Sequence, residues 1–128
     1  MTTYLPIASV EQFKRALLAQ RDEGLPDSHL TMLRAQCRAP NATLTATELA
    51  QAADYQNYNA ANLQYGTLAL NISRHLGVTL ENRADGTPMC WTTLSHPTDD
   101  EAPSADSGHF QFVMRPELVT ALREMRWA

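Results

Sequence analysis

Residues 44–77, LTATELAQAADYQNYNAANLQYGTLALNISRHLG, decide how this chain folds. Thr45-Ala46-Thr47-Glu48 is an S/T-x-x-E pattern, in which a threonine hydroxyl and a glutamate reciprocally satisfy the orphan N–H groups of a helix start. Leu44 and Leu49 stand at the two positions of a hydrophobic staple around that cap. The pattern predicts a short helix from about Ala46 to Ala53. Asp54-Tyr55-Gln56-Asn57 carries turn chemistry, because Asp and Asn side chains bond their own backbone and tolerate left-handed conformations. A longer second helix then starts near Asn57 or Asn59 and stops at Gly77, the preferred residue just past a helix end. A short helix, a tight polar turn and a longer helix outline a helix-turn-helix.

The second helix separates into faces. At about 100° per residue, Tyr65, Leu68, Ala69, Ile72 and Leu76 gather on one side, and Leu63, Gly66 and Leu70 form a second, narrower apolar strip. Gln64, Thr67, Asn71, Arg74 and His75 are left for the wet sector. Gln, Asn and Arg can make paired hydrogen bonds to adenine or guanine edges in a major groove. Gln64, Asn71 and Arg74 recur at i, i+7 and i+10, one lane along the helix. A merely solvated face is the commoner outcome for such a lane, and a nucleic-acid-facing surface is the functional reading weighed against it. Tyr55, Asn57, Tyr58 and Asn59 in the turn admit two readings. Either the tyrosines pack beneath the helix pair, or they lie against a base or backbone while the asparagines contact phosphates.

Composition bounds the alternatives. The 128 residues are one domain's worth, 44% hydrophobic and 19% charged, as expected of a globular chain. No apolar run approaches a membrane span, and no basic-then-apolar leader opens the sequence. Cys37 and Cys90 have neither zinc-ribbon nor disulfide-framework spacing, so a reducing cytoplasm is the simplest expected home. A formal net charge of −4 argues against binding nucleic acid by bulk charge alone. Four of the acids, Asp99, Asp100, Glu101 and Asp106, fall in PTDDEAPSADSG, residues 97–108, which reads as a flexible loop. Setting these four aside leaves ten acidic against ten basic residues, a neutral body. All the basic residues except Lys14 are arginine, the side chain suited to bidentate recognition of phosphate or guanine.

The flanks complete the expected architecture. Ser9-Val10-Glu11-Gln12 is a second capping box, opening an amphipathic helix over 10–23 that stops at Gly24. Asp27 or Ser28 is expected to cap a helix carrying Leu30, Leu33 and Cys37 and ending before Pro40, with His29 on its surface. After Gly77, the β-branched and aromatic run 89–94 opens a stretch, residues 89–96, that is expected to pair with the alternating stretch 109–114. Pro116 suits the first position of a closing helix, with Leu118, Val119, Leu122 and Met125 inward. The order predicts an α+β, mainly helical winged-helix-like domain over 1–128: a helix-turn-helix, a small antiparallel sheet and a C-terminal helix.

The stretch Leu44–Gly77, together with Phe112-Val113-Met114-Arg115-Pro116-Glu117-Leu118, resembles the small accessory modules found beside HNH nuclease domains in bacterial restriction proteins of the McrA type. It is also similar to short stand-alone bacterial and phage proteins. The resemblance implies a DNA-associated reader or specificity module that senses modified bases, in restriction, defence or regulation. Cleavage is not implied, because the paired histidines and asparagine of a ββα metal site have no counterpart in this chain.

Other chemistry is thinly represented. His96, Asp99, Asp100, Glu101, Asp106 and His109 flank one loop, but their spacing matches no metal-ligand pattern and the segment is a poor rigid platform. No nucleophile elbow, P-loop or dinucleotide fingerprint occurs, so neither catalysis nor a cofactor is expected. Three functional classes follow. The first is a DNA-binding module reading through Gln64, Thr67, Asn71 and Arg74, with Tyr55, Asn57, Tyr58 and Asn59 at the turn and Arg38 on phosphate. The second is a protein-interaction domain or homodimer. The third is a mobile-element inhibitor that uses the acidic loop as a DNA mimic.

Overall fold

Local signals decide where each helix begins, and long-range pairing then decides how the helices are held. The computed structural model describes residues 7–78, 90–96 and 111–128. Helices α1 (Val10–Gly24) and α2 (Asp27–Arg38) lead to a 3-10 turn at Pro40–Ala42. Strand β1 (Thr43–Thr45) runs directly into α3 (Ala46–Ala53), and α4 (Tyr58–Leu76) follows. A 3-10 turn at Cys90–Thr93, strands β2 (Ser95–His96) and β3 (Gln111–Met114), and helix α5 (Pro116–Glu124) complete the described chain. The result is α+β, mainly helical, with a small antiparallel sheet.

Both capping boxes form. The Ser9 N–H donates to Gln12 Oε1 at 2.7 Å and the Gln12 N–H to Ser9 Oγ at 3.1 Å. At α3 the Thr45 N–H donates to Glu48 Oε1 at 2.9 Å and the Glu48 N–H to Thr45 Oγ1 at 3.1 Å. Asp54 closes α3 in the left-handed region at φ 61°, and Asn57 caps α4 by accepting from the Ala60 N–H. Gly77 ends α4 at φ 71°, a conformation glycine adopts without steric cost. Pro116 opens α5 as expected. The cap of α2 differs from expectation. Its N-cap residue is Pro26, with no side-chain bond, and Asp27 is already helical.

The sheet has the order β1-β3-β2, antiparallel throughout. Leu44 stands opposite Phe112 and Ser95 opposite Met114. Phe112 and Met114 turn inward while Gln111 faces solvent, the period-2 alternation of a strand with one buried face. Two features depart from the sequence expectation. Leu44 and Thr45, expected only as the staple and cap of α3, form an edge strand together with Thr43. Of the stretch 89–96 expected to pair with β3, Ser95 and His96 do so, whereas Cys90–Thr93 coil into a 3-10 turn instead of extending the strand. Thr79–Met89 and the acidic loop 97–108 lie outside the described residues.

The core gathers Phe13 and Leu17 of α1, Met32 and Leu33 of α2, Leu49 of α3, Tyr65, Leu68 and Ile72 of α4, and Leu118 and Leu122 of α5. Inside it sits a closed polar ring. The Tyr65 hydroxyl donates to Gln36 Oε1 at 2.8 Å and lies 2.6 Å from Ser95 Oγ. Gln36 Nε2 donates to Ser95 Oγ at 3.1 Å and to the Phe112 carbonyl at 3.0 Å. These bonds admit one arrangement of protons. The tyrosine proton goes to Gln36, both amide protons are committed, and Ser95 must donate back to Tyr65. Flipping the amide would set an oxygen against the Phe112 carbonyl. Burial pushes the Tyr65 phenol well above its ordinary pKa, so the neutral donor is retained. The ring ties α2, α4, β2 and β3 together, and the Tyr65 and Phe112 rings stack at 4.9 Å beside it.

Removing a single member leaves buried polar atoms of the others short of a bond; without the tyrosine hydroxyl, Gln36 Oε1 loses its donor and Ser95 its acceptor. Tyr65→Phe is expected to cost about 1–3 kcal/mol of unfolding free energy, and Gln36→Leu more, because it removes three bonds at once. Urea denaturation measures both. Losses under about 0.5 kcal/mol for the pair would show that the ring contributes little to stability.

Candidate nucleic-acid interface

α4 is held from three sides, by α1, by α3 and by the 90–93 turn. Its inward face, Ala61, Tyr65, Leu68, Ala69, Ile72 and Ser73, follows the helical period and is buried. The opposite face is open. Asn59, Leu63, Thr67 and Arg74 are exposed along it, with Leu70 half-buried among them and Asn71 half-buried at its margin. From Asn59 to Arg74 this face runs roughly 22 Å. No carboxylate occurs anywhere in α4, whose charged or titratable side chains other than tyrosine are Arg74 and His75.

The expected lane is only partly left free. Gln64 is half-buried, and its Oε1 lies 2.7 Å from His29 Nε2. His29, read from the sequence as a surface residue, is instead 3% exposed. The amphipathic pattern of α2 gave no sign of this, because the partner of His29 is contributed by α4, distant in sequence. An acceptor at Nε2 makes that nitrogen the protonated one, leaving Nδ1 as a bare buried acceptor with no partner among the described residues. A bare acceptor costs less than an unpaired N–H. Gln64 therefore serves the junction between α2 and α4 before it can serve any ligand.

The turn divides its residues in the same way. The Tyr55 hydroxyl donates to Ser28 Oγ at 2.8 Å, which fastens the turn to the start of α2. Asn57 is exposed but commits its Oδ1 to the α4 cap. Tyr58, 36% exposed, and Asn59 remain open at the start of α4. Thr67 is exposed, although its hydroxyl donates to the Leu63 carbonyl one turn back. Arg74 and Asn71 have no hydrogen-bond or charge partner among the described residues. Arg38 is exposed too, but at the C-terminal end of α2, remote along that helix from His29. The structure thus brings Asn59, Thr67, Asn71 and Arg74 onto one face and draws Tyr55 and Gln64 inward.

Sequence reasoning passed over Leu63. It stands near the centre of the open face at 67% exposure, the most exposed large apolar side chain described. The signal was present in the strip Leu63-Gly66-Leu70, but a second apolar strip on a helix reads as packing until its neighbours are known.

The C-terminal end of α4 is anchored to α1. His75 Nε2 lies 3.1 Å from Gln20 Oε1 and also contacts Glu23. Elsewhere, a cleft of about 490 Å³ lies between the lead and α5, lined by Ile7, Ala8, Ser9, Val10, Gln12 and Glu117. Ser9 and Gln12 are already spent on the capping box there. Among the described residues, no three His, Cys, Asp or Glu side chains converge as metal ligands, and no helix is long and apolar enough to cross a membrane. No family model matches the chain, and neither a curated protein nor a solved structure is found to be similar to it.

The division between residues spent on folding and residues left open is testable by stability alone. Gln64→Ala should cost about 1–3 kcal/mol, because it strands the buried His29. Arg74→Ala should stay within about 0.5 kcal/mol of the parent. Equal effects in chemical denaturation would mean that Gln64 belongs to the solvated face after all.

Proposed function

We propose that this chain is a non-catalytic DNA-binding module of winged-helix-like form, with α4 as the helix that enters the major groove. The observation that carries the reading is the open face of α4. In a chain of net charge −4, the 19 residues of this helix contain no acid. They expose amide, hydroxyl and guanidinium groups along one side. Connectivity supports the same reading. A strand ahead of the paired helices bonds to the second strand of a hairpin behind them, giving β1-β3-β2, which is the strand order of winged helices.

Roles follow from chemistry. Arg74, unpaired and exposed, suits a guanine edge or a phosphate. Asn71 and Asn59 suit an adenine edge or a phosphate, and Tyr58 with Asn57 lies where the helix N-terminus meets a backbone. The near-neutral body sets the expected affinity. Few phosphates are neutralised, so binding is modest and owes more to fit than to bulk charge. The resemblance to accessory modules of restriction proteins makes a reader role the natural biological setting, with any cleavage carried out by another domain or protein.

Binding of the full chain to labelled duplex, followed across a salt titration, tests the proposal. Affinity should fall linearly on a log–log plot, and Arg74→Ala should weaken binding and, if Arg74 meets a phosphate, reduce the slope by about one. Binding indifferent to both salt and Arg74→Ala would remove α4 as the contact surface.

A further inference from the structure

We infer that the outer row of α2 is a self-complementary surface on which a second copy of this chain docks antiparallel, about a two-fold axis beside Thr31. Asp27, Thr31, Arg34 and Arg38 follow one another at i, i+4, i+7 and i+11, all within about 40° of the first around the helix. Asp27, Arg34 and Arg38 are exposed and Thr31 is half-buried, with the half-buried Leu30 and Ala35 on either side. His29, Met32, Leu33, Gln36 and Cys37 point the other way and are buried. Charge therefore changes sign once along the row, from an acid at its start to two bases in its second half. Asp27 and Arg38 also complement the dipole of their own helix.

Such an order of charges fits its own reverse. In a two-fold interface residue i meets j while j meets i. With the axis between Leu30 and Thr31, Arg34 falls opposite the partner's Asp27 at both ends. Arg38 falls beyond it, against the α1–α2 corner of the second copy. That corner exposes Asp22 and Glu23, although each also touches a base of its own chain. The centre holds Leu30 and Thr31, so no charge is buried there. A parallel pairing would set each charge against its own kind. Arg34 is already steadied for the role, because its Nε donates to the Trp127 carbonyl at 2.6 Å. The row spans roughly 17 Å, short for a standard interface, so association is weak and sensitive to salt. α2 meets α4 through His29, on the side away from the row, and docking leaves the open face of α4 uncovered. The inference stands without the DNA reading. Together the two give a dimer with two α4 helices in two-fold relation, the arrangement by which helix-turn-helix dimers read paired half-sites.

Sedimentation velocity of the full chain without DNA, over a series of protein concentrations at low and high salt, is the test. A dimer should form at low salt and dissociate as salt rises. Asp27→Lys and Arg34→Glu should each weaken association on the order of tenfold, because the axis makes every change act twice. Mixing the two single variants should restore the dimer, since opposite charges then meet at both ends, and restoration also shows that both variants fold. Placing both changes on one chain should restore it for the same reason. A chain that stays monomeric at low salt overturns the inference, as do single variants that associate like wild type. A mixture no better associated than its components overturns it too. Loss of DNA affinity in Arg34→Glu, with wild type monomeric, gives the row to nucleic acid instead. Failure of α4 to bind DNA would leave every one of these sedimentation outcomes readable.

Discussion

The amide of Gln36 is the point on which this molecule turns. One side chain, fully buried, bonds the α4 tyrosine, the β2 serine and the β3 backbone at once. Each of these groups would be costly to bury alone, and the ring they make leaves none unsatisfied. Apolar packing around it is permissive about rotation and register, whereas four directional bonds are not. The ring therefore fixes how α4 is rolled about its own axis relative to the sheet. With Tyr65 held inward, Asn59, Leu63 and Thr67 face outward, because the helical period allows little else.

A second, lighter set of contacts trims that outward face. Ser28 and His29, at the start of α2, take Tyr55 and Gln64. Gln20 and Glu23 of α1 take His75 at the far end. The side chains that survive unclaimed are those in the middle and on the open edge. Side chains spent on the fold and side chains left open are thus divided along α4 largely by side of the helix.

Much of the fold was legible because local chemistry and tertiary outcome agree. Thr45-x-x-Glu48, Asp54, Asn57, Gly77 and Pro116 each end or begin an element where their side chains or backbones permit it. What was not legible depends on partners distant in sequence. Thr43–Thr45 is too short for a period and becomes a strand only because Gln111–Val113 lies alongside. Cys90–Thr93 has strand-forming residues but coils where it packs on α4. His29 looks like a helix-surface residue until α4 supplies its partner. The same bond takes Gln64 from the predicted lane, while Thr67, Asn71 and Arg74 keep the places that periodicity gave them. Leu63 was seen as apolar, but its exposure follows only from the absence of a described neighbour.

Amide shift mapping tests the central claim most directly, namely that the roll of α4 imposed by Gln36 presents one open, acid-free face to DNA. Nitrogen-15 spectra of the full chain, recorded as duplex DNA is added, should move the amides of Asn59, Leu63, Thr67 and Arg74 together. Resonances of α5 and the buried faces of α1 and α2 should stay in place. Perturbations centred on α1 or α5, or none along α4 at saturating DNA, would contradict the account.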